Sequence, residues 1–182
     1  MPKRSRDKGN NYERRYSKLV IAAFESFGIT KRDCYRTPLS GGHPLADAGD
    51  LTISDPLWKL FPFAVECKHY KNWNPGVMFR PRKQERGWLK QVKASLPRCR
   101  PKSIPLLAMS GNATGDYTAI PLSVARRLCP EILKACPRLY FPGGKTKGLT
   151  GTRWIMVSSI PFLESVARTA KRRMKEKGKQ CK

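Results

Sequence analysis

Apolar residues recur at helical spacing through residues 11–28: Tyr12, Tyr16, Leu19, Val20, Ala23, Phe24 and Phe27. They predict an amphipathic helix, with Asn10 or Asn11 as its cap and Gly28 as its stop. Glu13 is out of place on it. At 100° per residue it falls within about 20° of Val20 and Phe24, so a carboxylate sits on the apolar edge. Attraction to the helix N-terminus is the plain explanation; inward-facing chemistry is the other.

Short runs of strand character follow. Residues 33–37 and 50–54 are the first two, the second opening at Asp50 with Leu51 and Ile53 on one face. Phe63 to Tyr70, FAVECKHY, is the third. Side chains alternate along a strand, so Phe63, Val65 and Cys67 share the packing face, and Glu66 and Lys68 share the other. The intervening DPLWKLFP reads as a tight connection, which predicts an antiparallel hairpin of the second and third strands. That hairpin would bring Asp50 opposite Glu66 and Lys68. The Gly- and Pro-rich PLSGGHPLADAGD before it is a loop. Its Gly41 and Gly42 permit close approach of a phosphate, or simply a flexible turn.

Residues 71–83 form a loop in which basic residues alternate with Trp73 and Phe79. Such aromatics either stack on nucleic acid or pin the loop to the body. Helical spacing resumes over 84–96, and the apolar run 104–109 reads as a buried strand. A short strand at 117–120, helices after Pro121 and Pro130, a Gly-rich basic loop from Tyr140, a strand in RWIMVSS and a helix from Pro161 complete the pattern. It predicts one α/β domain with a mixed central sheet flanked by helices. The expected parts are a basic, mobile arm over 1–9, a core over 10–137 and a C-terminal extension over 138–182 packed on the same domain.

Charge changes the picture. In 182 residues there are 37 Lys and Arg against 13 Asp and Glu, a net +24. Such an excess repels itself in a compact state and suits a polyanionic partner, nucleic acid first and an anionic membrane second. No apolar run of about 18 residues exists to span a bilayer, and the N-terminus lacks the apolar segment of a secretory signal. The six cysteines at 34, 67, 99, 129, 136 and 181 show no zinc spacing, so reduced thiols in a cytoplasm-like compartment are expected.

A lone E-x-K is usually a surface ion pair of little energetic weight. Here it is accompanied by Glu13 and Asp50. Carboxylates of this kind can hold a hard divalent cation, which activates water and polarises a phosphate, while a lysine stabilises developing charge. In KGNNYERR (8–15), TPLSGG (37–42), GDL (49–51) and VECKHY (65–70), the chain resembles the PD-(D/E)xK nuclease superfamily, most closely its archaeal-type and phage Holliday junction resolvases. The resemblance covers roughly the first 70 residues. It implies a restriction-endonuclease-like core and a metal site of Glu13, Asp50, Glu66 and the carbonyl of Cys67. Lys68 would position or activate the water, and Ser40 would lie by the DNA backbone together with Gly41 and Gly42. It further implies Mg²⁺, with Mn²⁺ as a substitute, a homodimer on four-way DNA junctions, and a bacterial or archaeal cytoplasm, with phage origin suggested. Arg14, Arg36 and the arm residues Lys3, Arg4, Arg6 and Lys8 are the expected phosphate contacts. Gly49 stands where the superfamily's name has proline, and Asp47 is a competing acid. The alternatives are an endonuclease of the same fold acting on duplex or flap DNA, and a basic protein that binds nucleic acid without cutting it.

Overall fold

The computed structural model describes residues 3–38, 49–135, 139–142 and 153–180. Helix α1 runs Lys3–Phe24 and continues as a 3-10 turn, Glu25–Phe27, closed by Gly28 in the left-handed conformation at φ 77°. The predicted stop is therefore met. The start is not: Asn10 and Asn11 lie inside the helix, and the expected mobile arm is helical from Lys3.

Strands β1 (Cys34–Arg36) and β2 (Leu51–Ile53) pair antiparallel as a two-stranded sheet. The segment after β2 is helix α2, Asp55–Leu60. Ser54 caps it, its hydroxyl accepting from Leu57 N–H, with Pro56 in the first turn where a missing N–H costs nothing. This helix breaks the hairpin expected between residues 50–54 and 63–70. Strand β3 (Phe63–His69) instead pairs parallel with β4 (Ile104–Ser110). A parallel pair needs a crossover, which contains a 3-10 turn at Pro75–Phe79 and helix α3, Lys83–Ser95.

Strand β5 (Asp116–Pro121) runs antiparallel to β4. Helices α4 (Leu122–Leu128) and α5 (Ile132–Ala135) follow, then β6 (Leu139–Pro142), β7 (Arg153–Ser158) and the long helix α6, Ser159–Gln180. The start of the expected loop from Tyr140 is thus strand. The five-stranded sheet has the order β3-β4-β5-β7-β6, with one parallel pair, and β3 at an edge. It is a mixed sheet flanked by helices, a restriction-endonuclease-like core.

The period of two along each strand divides the core. Val65, Leu106, Ile120 and Ile155 face one side with Tyr16, Phe24 and Phe162 of α1 and α6. Leu107, Met109, Ala119 and Trp154 face the other side with Trp88, Leu89 and Val92 of α3. Tyr16 Oη lies 2.7 Å from Thr118 Oγ1, which lies 2.8 Å from Ser159 Oγ, so one buried hydroxyl chain ties α1, β5 and α6 together. Among the described residues no helix is long and apolar enough to cross a membrane.

Candidate active site

The edge strand β3 carries the site. Glu66 and Lys68 leave its α3-facing side, opposite Val65 and Cys67, as the alternation requires. Glu66 is buried, and Lys68 Nζ meets its Oε1 at 2.5 Å. Asp50 reaches the same edge without any hairpin. Its N–H donates to Val65 O at 2.8 Å, and its Oδ2 accepts from Cys67 N–H at 2.7 Å. A residue's N–H and C=O point to the same edge of an extended strand, so the Cys67 carbonyl is directed towards Asp50, while its thiol is packed in the core. Gly49 makes this approach possible. It holds φ at 119°, and a Cβ there would meet Val65 O at 3.0 Å. Proline, with φ fixed near −65°, could not adopt this backbone. The departure from the superfamily's name is therefore part of how this chain sets Asp50 against β3.

Glu13 arrives from α1, which packs over β1 and β3. It is buried, and its Oε2 lies 2.7 Å from Arg36 Nε. Arg36, expected as a phosphate contact, is thus paired with a candidate metal acid. The groups act on one another. Burial first, and then Asp50, raise the Glu13 carboxyl, while Arg36 and Lys68 pull it down. Burial and Asp50 likewise push Glu66 up to about 7, against the opposing pull of Lys68. For Lys68, burial lowers the ammonium, but Glu66, Asp50 and Tyr70 outweigh it and the net shift is upward.

The donor set suits a hard divalent cation in kind: carboxylate oxygens with a backbone carbonyl nearby. As placed, Glu13 turns to Arg36, Glu66 to Lys68 and Asp50 to the Cys67 amide. Among the described residues no three carboxylate, thiol or imidazole groups stand together as a ready metal site. Both acids held by cations would have to turn for a full shell.

Of the other expected contacts, Arg14 is exposed, donating to Asn11 Oδ1 at 3.3 Å, and Lys8 is exposed on the same helix. The side chains of Lys3, Arg4 and Arg6 lie outside the described part, as do Ser40, Gly41, Gly42 and Asp47. Trp73 is buried edge-on to Tyr117, which makes it a pin for its loop. A groove of about 570 Å³ between α2 and α6, lined by Phe27, Leu60, Val166 and Met174 among others, contains none of the acids.

Residues 4–148 match the model of the family described as "Phage putative PDDEXK endonuclease". The chain belongs to this family. It is accordingly a member of the PD-(D/E)xK nuclease superfamily, with a nuclease's substrate, DNA. Comparison with curated proteins and with solved structures gives no match. What sequence reasoning missed at the site of this nuclease is the Arg36–Glu13 pair and Tyr70. Tyr70 could have been found: it stands two residues beyond Lys68, just past the end of β3, where its ring stacks on Trp88 of α3.

Proposed function

We propose that this nuclease is a divalent-metal-dependent endonuclease that hydrolyses DNA phosphodiesters at the outer edge of β3, with four-way junctions as its substrate. The observation that carries the catalytic part is the meeting of Glu13, Asp50, Glu66 and Lys68 from three separate elements at one strand edge. Asp50, Glu66 and the Cys67 carbonyl would hold the cation, Mg²⁺ by preference, with Glu13 joining directly or through water. The bound cation would supply a polarised phosphate and a more acidic water. Lys68, held at 2.5 Å from Glu66, keeps its ammonium at the same place. There it orients the water and stabilises charge growing on the phosphate. The net +24 supports DNA as the polyanion that is bound.

The junction substrate rests on the likeness of KGNNYERR and VECKHY to the resolvase branch. Resolving a junction by paired nicks calls for two active sites, hence a homodimer. Among the described residues, the outward side of α1 offers that pairing a polar surface, with Asn11, Arg14, Arg15 and Lys18 exposed there. This polar side favours, as a second reading, a nuclease acting on other branched or duplex DNA.

The test is cleavage of a synthetic four-way junction and its matching linear duplex, in Mg²⁺ and in EDTA. Wild type should cut only in Mg²⁺. Glu66→Ala and Lys68→Ala should each lose at least about 100-fold in rate while still binding DNA. Paired symmetric nicks confined to the junction support the resolvase reading. Comparable cutting of the duplex moves the assignment to the second reading. Tight binding without metal-dependent cutting of either DNA overturns both.

A further inference from the structure

Tyr70 is one of four large hydrophobic side chains that are exposed among the described residues, at 43%. It is also the one beside the candidate active site. Its N–H donates to Ser110 O at 3.1 Å, so the β3–β4 ladder still fixes its backbone just past the end of the strand. Its contact with Trp88 puts it on the α3 side, the side from which Glu66 and Lys68 leave β3. Its ring is not loose. It stacks on Trp88 of α3, with ring centroids 5.1 Å apart and planes 29° from parallel. Trp88 itself is only 5% exposed and packs with Leu89 and Val92 in the core cluster. One face of Tyr70 is thus braced from below, and the side chain remains substantially open to solvent. Lys71, next along the chain, is exposed as well.

A rigid aromatic ring next to a phosphate-handling lysine is a platform for a base. Every base has a π face, so stacking needs no particular sequence. What it needs is an uncovered face. Inside an intact duplex both faces of each base are covered by its neighbours, and exposing one costs a few kcal/mol of unstacking. At a flap or a single-stranded end that cost is already met by the structure of the DNA, and at a branch point the break in continuous stacking lowers it. The ring therefore discriminates by shape of substrate and not by sequence.

We infer that Tyr70, braced by Trp88, stacks on an unpaired base flanking the scissile phosphate and selects branched over linear duplex DNA. This rests on the nuclease reading above and deepens it, by naming a residue that sets substrate class. Lys71 would take a neighbouring phosphate of the same strand.

The experiment compares wild type with Tyr70→Phe, Tyr70→Leu and Lys68→Ala on a four-way junction, a flap and a linear duplex. Each DNA carries 2-aminopurine beside the expected cut, and its fluorescence is read in Ca²⁺ before cleavage is timed in Mg²⁺. Thermal melting checks each fold. Tyr70→Leu keeps an apolar cover on Trp88 and removes the π face, with Tyr70→Phe controlling for the loss of the hydroxyl. Expected is a fluorescence quench with wild type and Tyr70→Phe on the branched DNAs. In Tyr70→Leu the quench should vanish and KM for branched DNA should rise about tenfold. Its kcat and its cutting of duplex should change little. If Tyr70→Leu matches wild type in quench and KM, or weakens all three DNAs equally, the platform is overturned and Tyr70 is a cover for Trp88. If Lys68→Ala cuts as well as wild type, the placement of the active site falls instead, which separates the two failures.

Discussion

A single glycine sets the depth of the candidate site. Gly49 combines a φ of 119° with contact to the β3 backbone, so Gly49→Ala meets both strain and a 3.0 Å approach to Val65 O. The expected cost is about 1–3 kcal/mol of stability, read by denaturant melting, together with a large loss of cleavage as Asp50 is pushed off the strand edge. Wild-type cleavage by this variant would show that Asp50 does not need its seat on Val65. Glu66 supplies a pH signature. Its carboxyl is raised to about 7 when folded, against an ordinary value of 4.5, so the folded protein binds a proton more tightly than the unfolded chain between those values. Stability in EDTA should therefore fall as pH rises from about 4.5 to 7, by on the order of 2–3 kcal/mol, and level off above. Glu66→Gln should flatten that slope; an equally steep fall in the variant would assign it to other groups. At this scale the strand alternation made Glu66 and Lys68 legible as a pair. The need for Gly49 was not legible, because a glycine near a loop reads as permissive until its dihedral and its neighbour are known.

At the level of elements, what brings Asp50 to Glu66 is not what the sequence pattern suggests. Two short strands with a compact link read as a hairpin, but Ser-Asp-Pro is also a helix start, and α2 forms between them. Ser54 does two jobs there. Its hydroxyl accepts from Leu57 N–H and donates to Asp33 Oδ1 at 2.7 Å, so it caps α2 and fastens it to the turn before β1. Ser54→Ala should cost about 1 kcal/mol and lower Tm by about 2–4 °C; an unchanged Tm would mean that water replaces both bonds. The parallel pairing of β3 with β4 was illegible for a different reason. It is decided by the packing of α3 across the sheet, through Trp88, Leu89 and Val92 on Leu107 and Met109, and these contacts join residues far apart in the chain. Helices α1, α3 and α6 were legible, because each presents a continuous apolar stripe. The start of α1 was missed because its basic first turns carry no such stripe.

Over the whole molecule, a strongly basic protein holds a buried knot of acids at one sheet edge. Under the proposed function the first property would govern how DNA is gathered and the second what happens to it. Phosphate contacts release counterions, so binding should weaken steeply with salt, and Lys8→Ala should reduce the log–log slope by about 0.9 if Lys8 meets a phosphate. An unchanged slope would remove Lys8 from the contact surface. Such a substitution should leave cleavage of bound DNA as it was, unlike Lys68→Ala.

The apolar cluster behind the acids is shared by α1 and α6: Tyr16 and Phe24 come from the first helix, Phe162, Leu163 and Val166 from the last. Synthesis runs from one to the other. When 150 residues have been made, Glu13, Asp50, Glu66 and Lys68 already exist, yet the wall that closes the core against α1 does not. Tyr16 still lacks Ser159 at the end of its hydroxyl chain. A growing or clipped copy that lacks α6 therefore carries every candidate cutting group with no completed fold to hold them in register, and the ability to break DNA should emerge only once α6 has left the ribosome.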